Sequence, residues 1–141
     1  MENSYPKIVQ KSITISQQLF PSTYSLRSKY QTFHFAFIYK RNTLLSIGQN
    51  SYEFNNKALK FANLYGVQEK RKYPSLHAEI SAISKIFDRE YIDNSMKMVV
   101  IRLNKMGELR NSKPCPACQS VIDALGIERI WYSEKNRIER L

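Results

Sequence analysis

The sequence has 141 residues, the size of one ordinary domain, and we expect a single domain over residues 1–141. Hydrophobic residues make up 43% of the chain and aromatic residues 12%, which supports a packed core and excludes an intrinsically disordered protein. The formal net charge of +10 favours encounters with phosphate-bearing partners, although solubility alone explains it equally well.

The hydropathy of the chain and its two cysteines bear on the compartment in which the protein is found. No apolar run approaches the ~18 residues that cross a bilayer, and residues 1–6 lack the pattern of a secretory signal. The two cysteines, Cys115 and Cys118, are too few and too close for a disulfide framework, and they suggest a metal site or a redox pair. We therefore expect a cytoplasmic protein with no membrane partner.

The first part of the chain predicts a helix and a β-hairpin. Apolar residues at three- and four-residue steps over 8–20 predict a helix that ends at Pro21. Residues 33–40 are apolar on both faces, which is typical of a central strand covered by helices on both sides. A turn at Arg41-Asn42 leads into a second strand over 44–48, so that the two strands form a hairpin.

The rest of the chain alternates between helices and strands. Helices are predicted over 54–65, 76–87 and 116–125, and strands over 96–103 and 128–133. Gly66 and Gly126 are placed to end the helices that precede them. A basic loop over 68–74 precedes the second of these helices, and a polar, charged tail follows the last strand.

The order of these elements predicts an α/β fold. A strand, a helix and a second strand in succession normally form a parallel crossover. We expect a three-layer α/β/α sandwich around a mixed sheet of four or five strands. The sheet is expected to end at its fourth strand, leaving an edge with unpaired backbone groups. Such an edge favours a homo-oligomer.

Two short motifs carry metal-binding and acid–base side chains, each at the start of a predicted helix. They are His77-Ala78-Glu79 and Pro114-Cys115-Pro116-Ala117-Cys118. One imidazole and two thiolates suit zinc, and three protein ligands leave the fourth tetrahedral position for water, as in catalytic sites. Cys115 and Cys118 fall on one side of a first helical turn, where backbone N–H groups favour thiolate. His77 and Glu79 point apart on a regular helix, so this motif should lie right at a helix start.

Two other interpretations of these residues stay open. Cys115 and Cys118 alone fit a thioredoxin-like redox pair, which leaves the His77-Ala78-Glu79 motif unexplained. His34, with His77 and the two cysteines, would supply four ligands for a closed structural zinc site. His34 is more simply a core or pocket histidine, because it lies in a predicted strand.

Together the motifs resemble the H-x-E…P-C-x-x-C signature of the cytidine and deoxycytidylate deaminase superfamily. The resemblance covers about Phe33–Ser133 and implies a cytidine-deaminase-like fold. It implies that His77, Cys115 and Cys118 hold zinc. It also implies that Glu79 takes a proton from the zinc-bound water and delivers it to the ring nitrogen and then to the departing ammonia.

The resemblance further implies a hydrolase that converts cytosine to uracil in a free nucleoside or nucleotide. Asn50, after the second strand, matches a family position that contacts the substrate sugar, and we expect Ala78 and Pro114 to contact substrate too. The chain departs from the family in two ways. Many members carry Asn or Arg shortly after H-A-E, where this chain has Ile80-Ser81, and members usually have a fifth strand and a further helix.

Other functions stay open at this point. The net charge and Lys70-Arg71-Lys72 favour bases in single-stranded DNA or RNA as the substrate. A free purine base is a further alternative, because the linear sequence does not measure the width of a pocket. A non-catalytic binding protein is disfavoured, because such a protein has no reason to retain the proton-transferring glutamate.

Overall fold

The computed structural model describes residues 6–26, 33–54 and 75–141. The helices are α1 (Lys7–Leu26), α2 (Ala78–Ile86) and α3 (Pro116–Leu125). The strands are β1 (Phe33–Lys40), β2 (Thr43–Gln49), β3 (Ser51–Phe54), β4 (Ser75–Leu76), β5 (Met96–Leu103), β6 (Leu109–Arg110), β7 (Arg129–Glu134) and β8 (Arg137–Arg140). The helix predicted over 54–65 and the loop predicted over 68–74 lie outside the described residues, except that Phe54 ends β3.

The main sheet is mixed and has the strand order β2-β1-β5-β7-β8, with β6 paired to β5. β1 is antiparallel to both β2 and β5, as the predicted hairpin requires. β5 and β7 are parallel, and α3 connects them, which confirms the predicted parallel crossover. β3 and β4 form a separate two-stranded sheet.

Helices cover both faces of the sheet, which confirms the predicted α/β/α sandwich. On one face α1 packs its apolar side, including Ile8 and Val9, against the phenylalanines of β1. On the other face α2 and α3 pack against Ala36 and Ile38 of the same strand. Each large side chain buried in this way contributes roughly 1.5–3 kcal/mol. No helix in the described ranges is both long and apolar enough to cross a membrane.

The prediction that the first helix ends at Pro21 is wrong, because the helix continues to Leu26. An interior proline removes one backbone hydrogen bond and costs about 3 kcal/mol. The turn beyond Pro21 brings Tyr24 against Phe20 and Phe33, with ring centroids 5.7 and 5.9 Å away, and Phe20 and Phe33 are themselves 5.3 Å apart. Aromatic pairs contribute about 0.5–1.5 kcal/mol each, so this cluster offsets the cost of the proline.

The charged tail that follows the last predicted strand folds back as a further strand, β8, and pairs antiparallel with β7. Asn136 has a φ of 60°, a left-handed conformation that asparagine tolerates well, and it makes the tight turn between the strands. Ile138 packs on the core beneath α1, and the guanidinium of Arg140 lies 5.2 Å from the centre of the Trp131 ring. The sheet therefore does not end at its fourth strand, and the edge of β7 is covered.

Candidate active site and zinc centre

The first turn of α2 lies directly on the hairpin through Gly48. A Cβ atom at Gly48 would lie 2.2 Å from the carbonyl oxygen of Ala78 and 2.3 Å from the backbone nitrogen of Ala82. The Ser46 hydroxyl donates a hydrogen bond of 2.8 Å to the carbonyl oxygen of Ala82. Glycine is required here for close backbone approach, and this approach places the start of α2 at the end of β2.

His77 and Glu79 leave the chain in different directions because the helix begins between them. His77 is the N-cap residue and has an extended backbone, with φ −81° and ψ 153°. Glu79 lies inside the first turn of α2, and its side chain is only 4% exposed. The prediction that this motif lies right at a helix start is confirmed.

The cysteine motif uses the start of α3 in the same way. Cys115 is the N-cap residue, and its Sγ accepts a hydrogen bond of 3.5 Å from the backbone N–H of Cys118. Pro116 occupies the first turn, where its missing N–H costs nothing, and Gly126 ends the helix with a φ of 85°. Hydrogen bonds from the side chain of Cys118 and from His77 lower the pKa of Cys115 to about 3. Cys115 is therefore a thiolate at neutral pH.

The two helix starts bring three ligand atoms together. The Nδ1 of His77 lies 3.1 Å from Sγ of Cys118 and 3.6 Å from Sγ of Cys115. Zinc bonds of about 2.0–2.3 Å place tetrahedral ligands roughly 3.5–3.8 Å apart. The distance to Cys115 lies in this range and the distance to Cys118 is slightly shorter, so the donor set fits zinc after a small outward shift of one side chain. Among the described residues the group holds these three side chains and not His34, so it does not form the closed four-ligand site.

Glu79 is held beside these ligands in a dry environment. Burial raises the pKa of its carboxyl group to about 7, and the charges of His77 and Cys115 are close enough to act on it. A carboxyl group with a pKa near the working pH both accepts and donates protons readily. The arrangement can therefore hold a metal ion and move a proton next to it.

Of the three residues expected to contact substrate, Asn50 is half-buried, whereas Ala78 and Pro114 are buried. The side-chain Oδ1 of Asn50 accepts a hydrogen bond of 2.9 Å from the backbone N–H of His34. This bond fixes the Asn50 side chain at the end of β2, on the strand that supports the start of α2. Ala78 and Pro114 are buried, so we expect these residues to contact the substrate through their backbone groups.

A buried serine pair that no sequence motif reveals, Ser112 and Ser133, holds the chain before Cys115. Ser112 donates through Oγ to the carbonyl oxygen of Val100 at 2.7 Å, and through its backbone N–H to the carbonyl oxygen of Ser133 at 2.8 Å. Ser133 donates through Oγ to the carbonyl oxygen of Arg110 at 2.7 Å. Arg102 was missed as well, although it is the one charged residue between Met98 and Leu103.

Comparisons with known proteins agree with this geometry. The profile described as the cytidine and deoxycytidylate deaminase zinc-binding region matches residues 14–134. The cytidine deaminase from Mycobacterium leprae is similar in structure, with 15% identity over 91% of this chain and 88% of that one and a TM-score of 0.51. The apo dCMP deaminase from cyanophage S-TIM5 gives 17% identity over 86% of this chain and 82% of that one, with a TM-score of 0.48.

No curated protein is recognisably similar to the chain in sequence. The profile nevertheless spans most of the chain, including both motifs, and the Mycobacterium leprae structure shows the same fold. The close group of His77, Cys115 and Cys118 supplies the ligands that a zinc-binding region requires. The chain therefore belongs to the cytidine and deoxycytidylate deaminase family, with zinc as its cofactor.

Proposed function

We propose that the chain is a hydrolytic deaminase that converts cytosine to uracil in a free nucleoside or nucleotide. One observation carries the proposal, namely a buried carboxyl group, Glu79, beside a group of three zinc ligands. A structural zinc site has no use for an acid–base group held in this way. Likewise, a redox pair of Cys115 and Cys118 does not need the imidazole of His77 against both sulfurs.

The chain's own residues divide the chemistry among them. Bound zinc supplies a Lewis acid that lowers the pKa of water from about 15.7 to about 7. Glu79 accepts the proton of the attacking water and delivers it to the ring nitrogen of cytosine. It then takes the second water proton from the oxygen now bonded to C4 and passes it to the leaving amino group, so that a carbonyl forms at C4 and ammonia departs.

The remaining candidate residues orient the substrate in this proposal. Asn50 contacts the sugar, because its side chain is fixed at the end of β2 by the bond from His34. Backbone groups of Ala78 and Pro114 contact the base, because each of these residues is next in sequence to a zinc ligand. These contacts place C4 of the ring near Glu79 and the metal.

A substrate panel tests the proposal. The zinc-loaded protein is incubated separately with cytidine, cytidine monophosphate, their deoxy forms, adenine, guanine and a cytosine-containing oligonucleotide. We expect ammonia and uracil products from free cytosine substrates, detected by chromatography. Ammonia from the purines alone would show that the base is not cytosine.

A second candidate substrate is a cytosine in single-stranded DNA or RNA. The net charge of +10 supports it, because a strongly basic protein attracts the phosphates of a polynucleotide. Oligonucleotide binding would then weaken with salt, by roughly 0.7 in logarithmic slope for each neutralised phosphate. Replacing Lys70, Arg71 and Lys72 by Ser should flatten that slope. If no oligonucleotide binds at low salt while a free substrate reacts, the candidate is excluded.

We further propose a cytoplasmic location. Cys115 and Cys118 serve as zinc ligands only while they are reduced, which a reducing compartment ensures. Both are free cysteines in the structure. Fractionation of the source cells tests this, and recovery of the protein outside the cytoplasm contradicts it.

A further inference from the structure

Three basic side chains form a row across the main sheet. His34 on β1 is paired with Arg102 on β5, and Arg102 is paired with Arg110 on β6. Directly paired residues on neighbouring strands point to the same face of a sheet. The row of His34, Arg102 and Arg110 therefore lies on one face, and we call it the basic row.

The basic row lies on the face that carries the zinc centre. The next pair along β1 and β5 on that face is Ala36 and Val100, because side chains alternate between faces along a strand. Ala36 and Val100 belong to the core cluster that also contains Cys118. The row thus begins where this core ends, at the end of the sheet next to the site.

His34 lies close enough to the zinc ligands to feel the charge of His77. Burial, followed by the charges of Arg102 and His77, lowers the pKa of His34 to about 4. His34 is therefore neutral at pH 7, and it contributes hydrogen-bonding capacity without charge. Arg102 remains as the cation beside it.

Arg102 has hydrogen-bonding capacity that the protein leaves unused. Its Nη1 donates to the carbonyl oxygen of Asn111 at 3.3 Å, while its buried Nε has no partner among the described residues. No carboxylate in the described ranges forms an ion pair with it, whereas Arg110 in the same row is paired with Glu108. Leaving a buried donor unpaired is costly, and a guanidinium fits the oxygens of a phosphate with two parallel bonds.

We propose that Arg102, with His34 beside it, binds the phosphate of the nucleotide whose base is deaminated, so that the preferred substrate is a nucleoside monophosphate. This inference rests on the proposed function and specifies its substrate. Asn50, the proposed sugar contact, is bonded to the backbone of His34. A phosphate carried by that sugar would therefore lie next to the basic row, within reach of Arg102.

The experiment compares kcat/KM for cytidine 5′-monophosphate and cytidine in the zinc-loaded protein. We expect the nucleotide to be preferred by roughly 10–100-fold, the contribution of one or two charged hydrogen bonds. In Arg102→Ala the preference should fall to within a few-fold of one, and Arg102→Lys should restore part of it. Lys40→Ala removes an equal charge from the opposite, exposed end of β1 and should leave the preference unchanged.

A binding measurement separates phosphate recognition from a structural role. Uridine 5′-monophosphate should bind the wild type more tightly than uridine in calorimetry, and Arg102→Ala should lose that difference. If Arg102 only holds the Asn111 segment, nucleotide and nucleoside suffer equally, and the inference is overturned. An effect of Arg102→Ala confined to a cytosine-containing oligonucleotide also overturns it, because the phosphate would then belong to a polynucleotide.

The same data distinguish the failure of this inference from failure of the proposed function. Equal rates for cytidine and its monophosphate in the wild type would refute the phosphate site and leave the deaminase intact. No reaction with either compound would refute the proposed function. In that case the difference between uridine monophosphate and uridine binding still reports on the phosphate site.

Discussion

Gly48 of β2 and Ala82 of α2 are in direct backbone contact, since a methyl group on Gly48 would lie 2.3 Å from the nitrogen and 2.9 Å from the Cα of Ala82. This contact holds α2, the helix that follows His77, against the β1–β2 hairpin. We predict that Gly48→Ala forces α2 away from the hairpin, displaces His77 and Glu79, and destabilises the protein by about 1–3 kcal/mol or more.

Thermal unfolding and bound zinc, measured by atomic absorption, check this prediction. Ser46→Ala is the matched control, because it removes one hydrogen bond to the same helix without adding an atom. We expect it to cost about 1 kcal/mol and to retain zinc. Gly48→Ala with the stability and zinc content of the wild type would contradict the contact.

The buried serine pair gives a second prediction. Ser133 is fully buried, and its Oγ donates to the carbonyl oxygen of Arg110 while it also contacts Ser112. Ser133→Ala should destabilise the protein by about 1–3 kcal/mol and weaken zinc binding, because the segment before Cys115 loses the hydrogen bonds of the Ser133 hydroxyl to Arg110 and Ser112. Competition with a zinc chelator measures the affinity.

The matched control for the serine pair lies on α3. Ser120 is exposed, and among the described residues its hydroxyl bonds only to the carbonyl oxygen of Pro116 in its own helix. Ser120→Ala should change stability by no more than about 0.5 kcal/mol. If Ser133→Ala and Ser120→Ala bind zinc equally tightly, the pair does not position Cys115.

The pKa of His34 predicts a pH dependence of stability. The pKa of His34 is about 4 in the folded protein, against about 6.5 for a histidine in an unfolded chain, so the unfolded chain takes up this proton first as the pH falls. The free energy of unfolding should therefore decrease between about pH 6.5 and pH 4, by up to roughly 3 kcal/mol. Above pH 6.5 this contribution is fully present.

Urea unfolding at several pH values, with wild type and His34→Gln, isolates that contribution. Protonation of the zinc ligands affects both proteins, so the difference between their pH profiles belongs to His34. We expect the profile of His34→Gln to be flatter. Parallel profiles would show that His34 titrates normally.

Self-association stays a prediction, although its first basis is wrong. β8 covers the edge that we expected after the fourth strand, and β2 and β8 are the outer strands of the described sheet order. β2 has no strand paired on its outer side among the described residues, and an edge strand of this kind can pair with that of a second copy. Sedimentation velocity at micromolar concentration should show a homo-oligomer, and a monomer there contradicts the prediction.

The elements that the sequence predicted well are those governed by local signals. β5 has the predicted bounds because apolar side chains fill its middle, from Met98 to Ile101, and α3 has them because Pro116 and Gly126 mark its ends. Pro21 misled the prediction because Tyr24, in the turn after Pro21, packs against Phe33, which lies beyond the helix. β8 was missed because its short, charged segment is a strand only by pairing with β7.

The residues of the site likewise divide into those that local motifs predict and those that long-range pairing brings in. His77, Cys115 and Cys118 were predicted from two short motifs, and the structure brings them together. Arg102 carries no motif, and its proximity to His34 arises from the register of β1 and β5, which no local pattern specifies. Long-range pairing decides which polar side chains share a face with the zinc centre.

Comparing the wild type with Glu79→Gln tests the central proposal most directly. Glutamine preserves the size of the buried side chain and removes its acid–base function, and Glu128→Gln at an exposed position is the control. The measurement is the rate of ammonia release from cytidine and its monophosphate at equal zinc content. We expect turnover by the wild type and Glu128→Gln, and a loss of roughly 10²–10⁴-fold in Glu79→Gln with zinc retained. Near-normal turnover by Glu79→Gln, or no turnover of any cytosine substrate by the zinc-loaded wild type, would contradict the proposal.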